Sequence, residues 1–404
     1  MMSAFAALRL PREILFGSGQ RHALGTVAAR LGQKALICTD ERFAGTDHFA
    51  AMLADLKSNL SEVRVFDRVL PDVPRDSVSE GLRRVGDFRP DMVIGIGGGS
   101  CMDVAKCAAL LISHGGALPD YYGEFKVPGP TLPLILVPST AGTGSEVTPV
   151  AVISDPDRTL KVGISSPHLI ATAAICDPDL TLTCPPLLSA IAGADALTHA
   201  IEAFTAGRRD ATPELAQRHV FVGKNALTDH FATLAIRLLG RSLEEAVKTG
   251  SNAEARAEVM MAAMAAGCAF GTGGTAAAHA IQYPVGALTH TAHGLGVACL
   301  MPYVMRYNRP ACEAELAEVA DALGVGSGQS VAMRAEAAIT EVKRLFDAIG
   351  IPPTLAALGL ARDKITWVAE QAIGIERLIK NNPRPMDLPA MTKLVTAAFE
   401  GDLT

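Results

Sequence analysis

Met92-Val93-Ile94-Gly95-Ile96-Gly97-Gly98-Gly99-Ser100-Cys101-Met102-Asp103-Val104-Ala105-Lys106 runs from an apolar stretch through three glycines into helical spacing. Residues 92–96 predict a strand buried on both faces, and the residues after Ser100 predict a helix packed back on it. Successive glycines let backbone N–H groups approach a phosphate closely. The N-terminus of the following helix adds unpaired donors and a favourable dipole. The spacing is neither G-x-G-x-x-G nor a P-loop, and a tight strand-to-helix turn uses the same glycines.

The same alternation repeats on either side. Ala35–Thr39, Glu62–Phe66 and Leu134–Val137 read as further apolar strands, with helical spacing over 77–88 and 103–113. This predicts an α/β domain with a doubly wound parallel sheet. Pro138-Ser139-Thr140-Ala141-Gly142-Thr143-Gly144-Ser145-Glu146 follows the last of these strands. Its hydroxyls and glycine amides suit a pyrophosphate or a nicotinamide ribose. Two such loops after two buried strands fit a ligand at the carboxyl edge of the sheet. Asp40 follows the strand 35–39. It can accept from ribose hydroxyls and repel a 2′-phosphate, which favours NAD over NADP, or it can cap the next helix.

From about Pro186 the pattern is almost entirely helical, and Pro185-Pro186 is the expected boundary. The predicted division is 1–185, an NAD-binding α/β domain, and 186–404, a helical metal-binding domain. Alanine- and methionine-rich residues 252–267 suit close helix packing. Residues 208–225 read as a polar surface insertion, and 380–385 as a turn-rich loop before one last helix.

The chain has 404 residues, 49% hydrophobic and 19% charged, which excludes disorder as a general description. A net charge of −6 with no Lys/Arg block argues against nucleic acid. No uncharged apolar run reaches the roughly 18 residues of a membrane span, and the first residues lack a basic n-region. Eight scattered cysteines form no C-x-x-C pair, as expected of buried thiols in a reducing cytosol.

A second constellation lies in the helical half. In Gly193-Ala194-Asp195-Ala196-Leu197-Thr198-His199-Ala200-Ile201-Glu202, Asp195 and His199 share one helix face. His279 lies in Ala278-His279-Ala280-Ile281, and His293 in Ala292-His293-Gly294, fourteen residues later. One carboxylate and three imidazoles suit Fe²⁺ or Zn²⁺, whereas Ca²⁺ and Mg²⁺ take more oxygen ligands. The alternative is a set of hydrogen-bonded core histidines. Burying several ionisable groups among Ala and Gly is costly without a shared partner.

In this order and at these separations, the motifs resemble the iron-containing (group III) alcohol dehydrogenases. The resemblance covers nearly the whole chain. It runs through Phe16-Gly17-Ser18-Gly19, Leu36–Asp40, Gly97–Lys106, Pro138–Thr148, Ala192–Glu202, His279–Asn308 and Asn382-Pro383-Arg384-Pro385. It implies a dinucleotide-binding α/β domain with a parallel sheet, an all-α C-terminal domain, as in dehydroquinate synthase-like proteins, and a site in the cleft between them. Asp195, His199, His279 and His293 become the metal ligands. Gly97, Gly98, Gly99 and Ser100 become the pyrophosphate turn. Asp103, Thr140, Thr143, Thr148, Val152 and Lys161 fall at cofactor positions, and Asp40 at the acidic NAD-selecting position.

This chain departs from the family in two places. Many members carry a second histidine four residues after the third ligand, where Tyr283 stands here, so Tyr283 and His290 are the candidates for a proton relay. Many carry a Pro-Asn-Pro turn where this chain has Pro71-Asp72-Val73-Pro74.

The implied activity is hydride transfer between NAD(H) and a small alcohol or hydroxy acid, dependent on Fe²⁺ or Zn²⁺. The partners expected are that substrate and further copies of the chain, as a homodimer or larger assembly. Maleylacetate reductase and hydroxyacid dehydrogenase activities are the nearer alternatives. A dehydroquinate synthase-like lyase would need a dense Lys/Arg/Asn set that is missing from 195–224 and 279–293. A catalytically inactive cofactor-binding scaffold is argued against by the presence of all four candidate ligands.

Overall fold

Strand β4 (Met92–Gly97) is buried along its whole length because a parallel strand covers it on each side and helices cover both faces. The computed structural model, which describes residues 5–404, places it in a six-stranded sheet ordered β1-β9-β6-β4-β2-β3. The other strands are β1 (Glu13–Phe16), β2 (Lys34–Cys38), β3 (Glu62–Phe66), β6 (Leu134–Pro138) and β9 (Ala173–Cys176), and every pairing is parallel. Alternating side chains make two cores. Leu36, Val93 and Leu136 face Met102 and Leu110 of α5 (Gly99–His114). Ile37, Ile94 and Val137 face Leu24 and Val27 of α1 (Leu24–Ala29) and Phe49, Met52 and Leu56 of α3 (Asp47–Asn59). Along the chain the short α2 (Glu41–Ala44) joins β2 to α3, and α4 (Arg75–Val85) joins β3 to β4.

After β2 the chain steps outward to β3 and returns to the other side of β2 as β4. The topological switch point therefore lies between β2 and β4, where open α/β sheets leave a crevice beyond the carboxyl ends of the strands. Asp40 and Gly97–Ser100 end those two strands. A three-stranded sheet, β5 (Gly123–Glu124), β8 (Val162–Ser165) and β7 (Val150–Ile153), completes the unit.

The chain divides at Cys184–Pro185 into two compact units, one formed by Arg9–Cys184 with Gln217–Val220, the other by residues 5–8, Pro185–Ala216 and Phe221–Thr404. No local signal in the sequence marks the two short exchanged segments. The second unit is helical. Its elements are α6 (Pro186–Thr205), α8 (Ala226–Lys248), α9 (Ala253–Gly273), α10 (Ala277–Thr289), α11 (His293–Leu323), α12 (Val331–Ala348), α13 (Ile365–Ile373), α14 (Glu376–Ile379) and α15 (Leu388–Glu400), with the short α7 (Leu215–Arg218) at the crossover.

Helix α6 starts with Pro186 at its first position, where the missing N–H costs nothing. It is apolar on all sides and packs against α8, α9 and α11. Its length and hydropathy match a membrane span, but 78% of that window is buried inside the protein. The surface-insertion expectation for 208–225 fails at its C-terminal end, where Phe221–Asn225 are buried. The reason is chemical: Lys224 Nζ donates to the Phe204 carbonyl at the end of α6 (2.6 Å), and the Asn225 side chain caps α8.

Candidate metal centre and dinucleotide loops

Three helices of the helical unit meet at one point. Asp195 and His199 project one turn apart from α6, His279 lies near the N-terminus of α10, and His293 is the first residue of α11. One donor atom from each falls within 4.8 Å of all the others. Asp195 Oδ1 lies 3.7 Å from His199 Nε2 and 3.9 Å from Nε2 of both His279 and His293. Donors about 2.1 Å from a tetrahedral ion stand about 3.4 Å apart, so the cluster is close to ligand spacing. Three of the side chains are almost wholly buried, and His293 is 30% exposed.

Glu202, two turns after Asp195 on α6, explains the orientation of His279. Its carboxylate pairs with His279 Nδ1 at 2.6 Å and accepts from the backbone N–H groups of Ala276 (2.8 Å) and Ala278 (2.7 Å). Those amides open α10 and have no partner within the helix. One carboxylate thus fixes the start of α10 to α6 and turns the other ring nitrogen, Nε2, toward Asp195. That nitrogen is buried and has no hydrogen-bond partner. A buried imidazole nitrogen in this state fits a ligand lone pair aimed at a cation, and the three-nitrogen, one-oxygen donor set fits Fe²⁺ or Zn²⁺. Phe270 stacks on His199 with ring centroids 4.1 Å apart and restricts its rotation.

Close backbone approach brings in the fourth side chain. A Cβ on Gly294 would come 2.6 Å from the Ile191 carbonyl oxygen and 3.0 Å from Asp195 Cβ, so only glycine lets α11 begin against α6. Sequence reading included Glu202 in the motif but assigned it no role. The signal was the 195–199–202 stripe on one helix face. Replacing Glu202 with glutamine should lower metal affinity about 10–100-fold, because the amide is a weaker acceptor and frees the His279 tautomer. Competition with a chromogenic chelator measures this.

Of the two relay candidates, the Tyr283 ring centroid lies 6.0 Å from that of His293. His290 caps α10 in the left-handed conformation with its side chain exposed, and it does not join the four-residue cluster.

In the α/β unit the two loops converge. Gly97 has φ +145°, and its carbonyl accepts from Ser139 N–H at 2.8 Å. A Cβ on Gly99 would lie 2.7 Å from Thr143 Cγ2, so the second loop rests on the glycine turn. Gly98, Gly99, Ser100, Thr140 and Thr143 all remain partly accessible. Asp40 is the N-cap of α2, accepting from Phe43 N–H at 2.9 Å through Oδ1, while Cys101 Sγ donates to Oδ2 at 3.5 Å. It therefore caps a helix at the switch point; capping engages only one of its oxygens.

Other residues predicted at cofactor positions are tied into the protein. Asp103 accepts from Ser145 Oγ (2.7 Å) and Val152 N–H (3.0 Å), and burial lifts its carboxyl above the usual range. The Thr148 hydroxyl is buried 3.3 Å from Lys106 Nζ. Lys161 pairs with Asp72. Asp72 and Val73 have φ of +63° and +50°, an uncommon conformation for a β-branched residue. Ser154 holds the turn through bonds to both carbonyls, Oγ to Asp72 (2.8 Å) and N–H to Val73 (3.0 Å).

Known proteins resemble this chain along nearly its whole length. Residues 11–178 match the family model for iron-containing alcohol dehydrogenase, and 189–399 match the C-terminal model of the same family. Long-chain-alcohol dehydrogenase 1 of Geobacillus thermodenitrificans is 35% identical over 394 residues, covering 96% of this chain and 95% of its own. The NAD-dependent methanol dehydrogenase of Bacillus methanolicus is 33% identical over 392 residues, covering 96% and 99%. A crystal structure of 1,3-propanediol oxidoreductase superposes with a TM-score of 0.90 at 32% identity, covering 98% of this chain and all of the other. With both halves matched in order and relatives aligned nearly end to end, the chain belongs to the iron-containing alcohol dehydrogenase family.

Proposed function

We propose that this enzyme interconverts a small alcohol and its aldehyde with NAD(H) as the hydride carrier, using a divalent ion held by Asp195, His199, His279 and His293. The observation that carries the reading is the convergence of one donor atom from each of those four side chains within 4.8 Å of the others, with Glu202 behind His279. When bound, the ion supplies Lewis acidity toward the alcohol or carbonyl oxygen, and the dinucleotide gives or takes the hydride.

The chain's own residues do the rest. Backbone N–H groups at Gly98–Ser100 bind the pyrophosphate at the N-terminus of α5. Thr140 and Thr143 flank it with hydroxyls. Asp40 accepts from the adenosine ribose and disfavours a 2′-phosphate. Glu202 holds the His279 tautomer through Nδ1. Tyr283, beside His293, is the favoured start of a proton path to solvent, ahead of the exposed His290. The family membership and the NAD-dependent relative support this reading, and the eight buried cysteines suit a reducing compartment. A homo-oligomer is the expected assembly.

Fluorescence titration tests the cofactor assignment. The wild type should bind NADH more tightly than NADPH, and Asp40→Ser should narrow that preference about tenfold by removing the like-charge clash. Equal affinity for the two cofactors in the wild type would contradict the role given to Asp40.

A further inference from the structure

Lys106 is fully buried, with no exposed surface. A lone ammonium there would be costly. It is surrounded by oxygen: Ser145 O (2.7 Å), Val150 O (2.8 Å), Ser145 Oγ (2.9 Å), Thr148 O (3.0 Å) and Thr148 Oγ1 (3.3 Å). All five acceptors lie on the segment that leaves the second loop and enters β7. One turn earlier on α5, Asp103 holds the same segment at Ser145 Oγ and Val152 N–H. The N-terminus of this helix carries Gly99 and Ser100.

We infer that Asp103 and Lys106 are positioning residues for the dinucleotide, pinning segment 145–152 to α5 so that Thr140 and Thr143 stand over the glycine turn. This rests on the dinucleotide reading given above. Asp103 acts on the cofactor through this segment, without touching it. Thr143 Oγ1 accepts from Ser145 N–H at 3.2 Å, which links the pinned residue directly to the loop. The clamp needs the ammonium form, because a neutral amine has one fewer N–H and turns a lone pair toward a carbonyl oxygen.

The titratable groups facing Lys106 are Asp103 and Cys107 on α5 and Glu146 on the pinned segment, and Lys161 acts on Asp103 in turn. Burial pushes Lys106 down to about 8 and Glu146 up to about 7, and it raises the Cys107 thiol far above its ordinary value. Above neutrality the carboxyls only become more ionised, which favours the ammonium. A loss of NADH affinity as pH rises past about 8 therefore points to Lys106.

The test measures NADH and metal dissociation constants side by side. Asp103→Ala should weaken NADH about tenfold, the worth of one or two hydrogen bonds, while Asp103→Asn should stay within about threefold of wild type because the amide can still bridge Ser145 and Val152. KM for NADH should change more than kcat, and metal affinity should not change. Lys106→Met should weaken NADH and remove the pH dependence. Where that variant does not fold, Ser145→Ala, which deletes the hydroxyl between Asp103 and Lys106, should weaken NADH a few-fold. Asp103→Ala binding NADH as tightly as wild type, or wild-type affinity flat between about pH 7 and about pH 9, overturns the inference. A wild type that binds metal but no NADH at all overturns the dinucleotide reading itself.

Discussion

Alanine at His279 should leave a folded protein that binds NADH normally, holds metal poorly and turns over at least about a thousandfold more slowly. The size follows from the chemistry: Lewis-acid stabilisation is worth several kcal/mol of barrier, and each 1.4 kcal/mol or so is tenfold in rate. Removing the ring takes away the Nε2 donor and leaves Glu202 with only the Ala276 and Ala278 amides. Those two bonds keep the start of α10 anchored, so the helix should survive. The glycine turn belongs to the other compact unit, so dinucleotide affinity should be retained. Metal analysis, NADH titration and steady-state rates on one preparation separate the three effects. Full activity in a metal-free His279→Ala protein would remove the metal from the mechanism.

The second large effect is expected at Gly97, where alanine should destabilise the protein and weaken NADH binding at least about tenfold. Its φ of +145° is a conformation that side-chain-bearing residues rarely adopt, and the added Cβ would lie 2.6 Å from Cys101 Sγ and 3.3 Å from Asp40 Oδ2. Strain of about 1–3 kcal/mol lowers the melting temperature of a unit this size by about 2–12 °C. Relief can come only by shifting the turn, which moves the N–H groups away from the pyrophosphate. Gly98 is the control. Its φ is −75°, and a Cβ there meets Thr140 at an ordinary 3.7 Å, so Gly98→Ala should melt close to wild type. Thermal melts and NADH titrations of both variants give the comparison, and a Gly97→Ala protein matching Gly98→Ala in both would contradict it.

The strands were legible because parallel strands covered on both faces leave near-continuous apolar runs. Met92–Ile96 falls inside β4, buried throughout, whereas Glu62–Phe66 falls on β3, an edge strand buried only at Phe66 and legible from its β-branched and aromatic residues instead. Asp195 and His199 were legible as a helical pair. His279 and His293 stood out as imidazoles in Ala/Gly-rich stretches, and the family resemblance made them ligands, since nothing local announces that α10 and α11 will begin beside α6. What stayed hidden shares one physical feature, a partner supplied from far along the chain. Lys106 reads as a surface-type residue in an apolar helix until segment 145–150 surrounds it with acceptors. Glu202 gains its meaning only when the amides of Ala276 and Ala278 arrive 74 and 76 residues later. Phe221–Asn225 look polar and irregular, yet they are buried because Lys224 finds the end of α6. The left-handed Asp72 and Val73 are likewise held by Ser154, 82 residues after Asp72.

The central claim is that Asp195, His199, His279 and His293 form a metal centre for NADH-linked carbonyl chemistry. Its most direct test is to strip the purified protein of metal and follow NADH oxidation with a panel of small aldehydes and oxo acids, adding back Fe²⁺, Zn²⁺ or buffer in parallel. Turnover that is absent in buffer and restored by one of the two ions, with aldehydes preferred, is the predicted result. NADH binding without turnover under either ion, or equal turnover with and without metal, would contradict it.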